Sequence, residues 1–455
     1  MSPILPAAPG RADSRWKAYP AYKDSGIEWL GEIPQSWQIK PLKHVVRMNP
    51  SVMVEDTAPD FLLRYVDISS VNAAGKIGEI QEFRFKDAPS RARRRVRKGD
   101  TILSTVRTYL RAIAFIDDAP DNLIVSTGFA VLRPSSMIWP EFLWRMMQSA
   151  YFVDAVVAHS EGVGYPAINP GILASLPAWI PPSLDEQRAI VRFIDRETAK
   201  IDALIAKKER LIELLEEKRS ALISYAVTKG LDPKAPMKDS GVEWLDGVPK
   251  HWSTMPLRRL ISFMTSGSRG WAEFYADDGA RFLRIGNLSR RSIDLDLSDI
   301  QHVAPPKSAE QDRTRVQPDD VLISITAYIG AVAVVRQDVG EAYVNQHIAL
   351  VRPLRLLVHS RWLAYYLLSP VGQTQFQLFL YGGTKDGLGL DDVKSLRILI
   401  PPIQEQQAIV DRIDVLSHQH HQLISKIRQH IEKLQEHRTA LISAAVTGKI
   451  DVRGQ

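Results

Sequence analysis

Two long stretches of the chain place seam positions alternately four and three apart, the spacing of a helix with one narrow apolar stripe. In the first, these positions are Ile194, Thr198, Ile201, Ile205, Lys208, Ile212, Leu215, Arg219, Leu222 and Ala226. In the second they are Ile413, Ser417, His420, Ile424, Ile427, Ile431, Leu434, Arg438, Leu441 and Ala445, so Arg219 and Arg438 interrupt the two stripes at matching places. Neither stretch contains proline, and Pro181-Pro182 and Pro401-Pro402 stand at the entrances, where a helix tolerates them. About 43 residues of helix span roughly 65 Å. So narrow a stripe does not hold up an isolated rod, and the expected partner of each helix is the other. The plainer alternative is that each is only a core helix of its own domain.

Outside these stretches the pattern shifts to short runs of branched residues punctuated by glycine and proline. KGDTILSTVRTYLRAIAFI (98–116) and PDDVLISITAYIGAVAVV (318–335) read as β-hairpins. VLISITAYIGAVAVV (321–335) is the longest uncharged apolar run, shorter than the roughly 20 residues of a spanning helix. No membrane partner is therefore expected.

The two hairpins belong to a longer echo. KDSGIEWLGEIPQSW (23–37) returns as KDSGVEWLDGVPKHW (238–252), VSTGFAVLRP (125–134) as VNQHIALVRP (344–353), and EQRAIVRFID (186–195) as EQQAIVDRID (405–414). Finally KRSALISYAVTKGLD (218–232) returns as HRTALISAAVTGKID (437–451). This order predicts a duplicated chain: a flexible tail over 1–21, a mixed domain over 22–182, a helix over 183–232, a second mixed domain over 233–402 and a second helix over 403–451. The expected fold class is α+β, two globular mixed domains separated by two long helices that form an antiparallel coiled coil with pseudo-twofold symmetry. Such symmetry would carry the domains to opposite ends and bring Asp451 beside Lys23, making the chain quasi-circular.

Composition narrows the function. The chain has 455 residues, a formal net charge of +6, a pI near 9.2 and no cysteine. That balance favours an anionic partner, nucleic acid first, and the missing cysteines exclude a disulfide framework and fit a reducing cytoplasm. The excess charge lies in the globular parts, +3 over 1–182 and +2 over 233–402. There is no GxxxxGK[ST], GxGxxG, HExxH or GxSxG pattern, and no Asn/Asp-Pro-Pro-aromatic signature of an adenine methyltransferase. HQHHQ (418–422) falls on the predicted second helix with its histidines on different faces, so neither a metal site nor a catalytic residue is assigned.

For DNA the candidates are more specific. RARRRVRK (91–98) supplies Arg91, Arg93, Arg94, Arg95 and Lys98 for phosphate contacts, although such a run is also what a solvated face looks like. On the first hairpin and the strand after it stand Arg107, Tyr109, Arg111, Ser126 and Thr127; the matching stretch of the second domain has Thr326, Tyr328, Asn345, Gln346 and His347. Framework residues agree between the halves while these polar ones differ, as expected of two readers on one scaffold. Glycine-rich SGSRGW (266–271), YGGTKDG (381–387) and SEGVGY (160–165) add Arg269 and Lys385 as candidates and otherwise read as turns.

The order KDSGxEWLGxIPxxW, GDxxLS, IPPxxEQxxIVxxID and RxALISxAVTGKID, given twice between residues 22 and 451, resembles the specificity subunit of type I restriction-modification systems. The resemblance implies a non-catalytic subunit whose two target recognition domains each read one half of a split double-stranded DNA sequence while the helices set the spacing. It further implies two modification subunits docked on the helices, and restriction subunits in the full complex. S-adenosylmethionine, ATP and Mg would sit in those partners, with no cofactor on this chain. The helix-pairing residues would be Ile194, Ile201, Ile205, Ile212, Leu215 and Leu222 with Ile413, Ile424, Ile427, Ile431, Leu434 and Leu441. Three features depart from the pattern: the proline-rich stretch EGVGYPAINPGILASLPAWIPP (161–182), the ending VTKGLD in place of VTGKID, and the tail before Tyr22. The rival readings are a free-standing two-domain DNA-binding regulator and an enzyme with an unrecognised site.

Overall fold

The computed structural model describes residues 16–162, 164–242, 245, 247–305, 307–380 and 387–453. The two seam patterns become continuous helices, Leu184–Lys229 and Ile403–Val446. The chain divides into two compact units that cut across both helices. Unit 1 comprises Met1–Lys208 and Arg428–Gln455, and unit 2 comprises Glu209–Ile427. Each mixed domain thus consolidates with one half of each helix.

Within each unit the two helix halves run antiparallel. In unit 1 Arg438 Nε donates to Asp202 Oδ1 at 2.9 Å, and Ile190, Ile194 and Ile201 share a core with Leu441, Ile442, Ala445 and Val446. In unit 2 Arg219 Nε donates to Ser417 Oγ at 3.3 Å, and Ile223, Ala226 and Val227 share a core with Ile409, Val410 and Ile413. The two interrupting arginines of the stripes therefore form polar contacts to the opposing helix. Ile205, Ile212, Leu215, Ile431 and Leu434 are half-buried, whereas Ile424 and Ile427 are buried. Leu222 departs from the expected register: it is 37% exposed, and Ile223 beside it is 7% exposed. The stripe shifts by one residue just after Arg219, whereas after the matching Arg438 Leu441 stays buried at 5%.

The β-structure repeats between units. In unit 1 one four-stranded sheet has the order Val46–Met48, Phe129–Pro134, Thr101–Ser104, Ile113–Phe115. Its equivalent in unit 2 runs Ile261–Ser266, Ile348–Pro353, Val321–Ser324, Val332–Val334. The expected hairpins are the last two strands of each sheet. A buried bidentate ion pair locks each: Arg133 Nε and Nη2 to Asp100 at 2.9 and 2.7 Å, and Arg352 Nε and Nη2 to Asp320 at 2.8 Å.

The second sheet differs between the units. Both pair two strands in parallel, Leu62–Val66 with Leu123–Ser126 and Ala280–Leu283 with Ala342–Val344. Unit 1 then adds the basic strand Ala92–Arg95, whereas unit 2 has the short helix Ala309–Thr314 and a single bridge between Arg315 and Tyr343.

The same fastening also recurs where domain meets helix. Glu186 accepts from Trp37 Nε1 at 2.9 Å, and Glu405 accepts from Trp252 Nε1 at 3.1 Å. Gln187 and Gln406 each accept one backbone N–H, from Trp139 at 2.6 Å and His359 at 2.9 Å, and donate to nearby carbonyls. The aspartates that close the ID pairs bind a helix of their own domain, Asp195 to Arg145 at 2.6 Å and Asp414 to Arg361 at 2.8 Å. The repeated EQ and ID letters thus have a physical role, which is to fasten each mixed domain to its helix half.

Two expectations are revised. Residues 16–21 are not a free tail. Trp16 meets Phe193 edge to face at 4.8 Å and Tyr19 is 5% exposed, because aromatic rings gain more by burial than a tail gains by freedom. The closing end meets that segment, with Asp451 N–H donating to Lys17 O at 2.7 Å and Tyr22 OH to Gly448 O at 3.0 Å. The two ends of the described chain therefore pack together within unit 1, with Lys17 in the place expected for Lys23.

A candidate nucleic-acid interface

In both units the hairpin turn beyond the Asp-locked strands is built on a left-handed residue. Arg107 has φ +50° and Ala327 has φ +53°, and a second positive φ follows at Arg111 and Gly330. In unit 1 both of these positions are held by arginines, and a non-glycine residue in this conformation costs about 1 kcal/mol or more. Such cost concentrated at an exposed loop tip suits a site selected for what it presents.

In unit 1 the turn carries Arg107, Tyr109 and Arg111, all exposed. Arg111 Nη2 lies 4.0 Å from Asp154 Oδ1, and burial pushes the Asp154 carboxyl above its ordinary range while the arginine offsets it. The loop 160–169 lies against the turn, with Arg107 N–H donating to Pro166 O at 2.7 Å. The Arg107 guanidinium sits 4.6 Å from the centre of the Tyr165 ring, which is 69% exposed.

The basic run lies next to the same strand. Thr127 N–H donates to Arg91 O at 2.8 Å, placing Arg91 beside it. Arg91 and Lys98 are exposed; Arg93 stacks on Phe85 at 4.9 Å. Arg94 is half-buried and donates to Asn49 Oδ1, and burial lowers its affinity for a proton. Arg95 is likewise half-buried. Thus Arg91 and Lys98 keep access to a partner, while Arg93, half-buried against Phe85, and Arg94 serve the fold. Ser126 is fully buried, where it accepts from Gly128 N–H at 3.3 Å, so its hydroxyl shapes the turn and presents nothing to a groove.

In unit 2, Thr326 Oγ1 and His347 Nδ1 lie 2.6 Å apart, and Gln346 Nε2 approaches His347 Nε2 at 3.1 Å, so these three candidates form one polar chain. The loop of Arg269 joins it: Gln346 N–H donates to Ser268 O at 3.0 Å, and Arg269 itself is exposed. Asn345 lines an open cavity of about 370 Å³ with Arg284, Asn287, Asp296 and Asp299. Tyr328 is 44% exposed and lies under Arg290, whose guanidinium is 4.4 Å from the ring centre. Lys385 lies outside the described residues.

Sequence reasoning does not single out Arg290 or Tyr165 individually. Tyr165 falls in SEGVGY, whose glycines hint at a functional loop, but Arg290 sits in a serine-arginine stretch without a counterpart in the first half. Among the described residues no three or more His, Asp or Glu side chains are grouped to hold a metal ion, and no helix is long and apolar enough to cross a membrane. His418 and Gln422 contact each other at 2.8 Å, and burial together with Arg219 lowers the proton affinity of His421.

The fold defines a class: a duplicated mixed α/β domain, each copy fastened to antiparallel halves of the two long helices within its own unit. Residues 281–433 match the family model described as Type I restriction modification DNA specificity domain. The chain is 25% identical over 271 residues to the type I restriction enzyme EcoBI specificity subunit of Escherichia coli, covering 58% of this chain and 56% of that subunit. It is 26% identical over 297 residues to the type I restriction enzyme EcoKI specificity subunit of Escherichia coli strain K12, covering 63% of this chain and 60% of that subunit. The matched stretch thus spans little more than half the length of each of these relatives. A solved chain from work on complex assembly and conformational transition of the type I R-M system shares the fold, with a TM-score of 0.67, 24% identity, and coverage of 91% of this chain and 98% of that one. By these matches the chain resembles the type I restriction-modification specificity subunits.

Proposed function

We propose that the chain is the DNA sequence-recognition subunit of a type I restriction-modification complex. Each mixed domain reads one half of a bipartite, asymmetric target; the helices fix the spacing of the halves and carry two modification subunits. In the full assembly, restriction subunits join, and S-adenosylmethionine, ATP and Mg belong to those partners. One observation carries this reading: Asp100–Arg133, Glu186–Trp37 and Gln187 recur as Asp320–Arg352, Glu405–Trp252 and Gln406, whereas the turn beyond them carries Arg107, Tyr109 and Arg111 in one unit and Ala327 and Tyr328 in the other. A shared frame with unlike tips is what two readers of unlike half-sites need, since frames position and tips specify.

The basic strand of unit 1 supports phosphate contacts there, and among the described residues unit 2 has no equivalent strand, which fits half-sites that are gripped differently. Half-sites read from one face of the duplex lie about one turn, roughly 34 Å, apart. The test is to co-express the chain with its modification subunits in a host free of adenine methylation and to map N6-methyladenine across the genome. Expected is a motif of two short blocks around a fixed gap, absent without this chain. Methylation that persists without it would overturn the reading, and sequence-specific binding with no modification subunit would favour the free-standing regulator.

A further inference from the structure

Both units hold an exposed tyrosine under an arginine that makes no ion pair with a carboxylate among the described residues. Several other arginines of the two units do have such a partner: Arg111 with Asp154, Arg284 with Asp299, Arg291 with Glu216, Arg315 with Glu341 and Arg336 with Asp338. Arg107 and Arg290 instead lie over Tyr165 and Tyr328 at 4.6 and 4.4 Å. The two pairs are assembled differently. In unit 1 the turn supplies the arginine and the neighbouring loop the ring; in unit 2 the turn supplies the ring and the loop after Ile285–Asn287 the arginine. The same arrangement reached from opposite elements is hard to ascribe to the inherited frame.

Hydrogen bonding fixes which edge of Arg290 is free. Its Nε donates to Ile329 O at 2.9 Å, and Nη2 donates to the same carbonyl. The side edge of the guanidinium is thereby tied to the main chain, and the end edge, Nη1 with the second hydrogen of Nη2, remains as two parallel donors. Stacking on Tyr328 restricts the remaining rotation of the plane, so little rotamer freedom is left to lose on contact. Two parallel donors on a fixed plane match the paired acceptors O6 and N7 that guanine alone shows in the major groove.

We propose that Arg290 held on Tyr328, and Arg107 held on Tyr165, each read a guanine in the major groove, one in each half of the target. This rests on the DNA-recognition reading and adds to it a base and an atom pair. A phosphate contact by the same arginines is the competing outcome. Phosphate takes the same fork, but its loss weakens binding alike for every sequence.

The whole chain, in complex with its modification subunits, is tested in two ways. Methylation maps are compared for the wild type, Arg290→Ala, Arg290→Lys, Arg107→Ala and Arg107→Lys. The Arg290 variants are expected to turn one guanine of one block into a degenerate position with the other block unchanged, and the Arg107 variants to do so in the other block. Binding of the wild-type complex is then measured on duplexes with 7-deazaguanine, which lacks the N7 acceptor, at each guanine in turn. Expected is a loss of roughly tenfold or more at one guanine per block. This second measurement needs no variant to fold. A bipartite motif that keeps every base preference in the variants, or that tolerates 7-deazaguanine throughout, overturns the guanine assignment alone. Absence of any bipartite motif in the wild type overturns the recognition reading, and the assignment falls with it.

Discussion

The indole N–H of Trp37 donates to the carboxylate of Glu186 at 2.9 Å, joining the last letter of the KDSG phrase to the first letter of the EQ phrase across 149 positions. Tyr19 OH donates to the same oxygen at 2.8 Å, and burial together with that contact pushes the Tyr19 hydroxyl well above the ordinary tyrosine range. In the other unit Trp252 and His251 both reach Glu405, at 3.1 and 2.7 Å. Glu186→Ala strands two donors at a buried site. It is expected to destabilise the chain by about 2–4 kcal/mol, given about 1–3 kcal/mol per buried unsatisfied group. Chemical denaturation followed by tryptophan fluorescence checks this.

The two locked strand pairs permit a sharper comparison. Asp100 and Asp320 have side chains only 2% and 1% exposed, and each also accepts a backbone N–H, from Arg97 at 2.8 Å and Gln317 at 2.7 Å. Asp320→Ala would leave Arg352 without its partner in a partly buried site. A loss of about 3–5 kcal/mol is expected, as for breaking a buried pair from one side. The Asp320→Ala/Arg352→Met double variant should recover part of it, because no lone charge then remains. Denaturant midpoints of the single and double variants measure the difference.

Much of this frame is legible in the sequence, because paired motifs repeat at a constant offset and a heptad stripe is visible without a structure. What escapes is what depends on one residue of register or on contacts between unlike loops. The hydroxyl of Ser126 reads as a presented donor from its strand position, yet the turn takes it inward. Arg290 reads as a surface cation, yet Ile329 O and the Tyr328 ring fix it in place. Neither fact follows from periodicity: the first depends on the turn after the strand and the second on contacts with another loop. The N-terminal segment departs from its pattern for another reason: its prolines signal flexibility, while Trp16 and Tyr19 supply the apolar area that anchors it.

The reversed order of lysine and glycine at the helix ends also has a measurable consequence. Gly448 has φ +72°, and a Cβ there would stand 2.3 Å from Pro34 Cγ; Gly230 has φ +77°, and its nearest contacts would be Glu405 Oε1 and Trp252 Cζ2 at 3.3 Å. Both positions favour glycine, with a backbone penalty of about 1 kcal/mol. Only Gly448→Ala adds a hard overlap with a proline ring. Its melting temperature should therefore fall clearly below that of Gly230→Ala, and equal losses would refute the close packing at Pro34.

Stability should also depend on pH near neutrality through His359. Burial lowers its proton affinity below the ordinary value of 6.5, with Arg361 adding to the effect and Asp319, Asp411 and Asp414 opposing it. Its Nδ1 is buried without a hydrogen-bond partner. A histidine whose pKa is lower in the folded state binds more protons when unfolded, so stability is fully present above 6.5 and declines as pH falls from there through the lowered folded value. The melting temperature should be lower at about pH 5.5 than at about pH 7.5. His359→Gln should flatten that dependence; an unchanged slope would leave His421, lowered by burial and Arg219, as its source.

Adjacent residues on the first helix give the most direct test of the seam. The spacing of four and three places Leu222 in the stripe, but Leu222 is 37% exposed and Ile223 is 7% exposed, beside Ala226, Val227 and Ile413 in one core. Leu222→Glu should cost no more than about 0.5 kcal/mol, as for other surface changes. Ile223→Glu buries a carboxylate in an apolar core and should cost several times as much. Helix content by circular dichroism and the denaturant midpoint separate the two, since glutamate favours helix at either position. If Leu222→Glu proves the more damaging, the stripe does not turn at Arg219, and the contact of Arg219 with Ser417 has no part in setting the register.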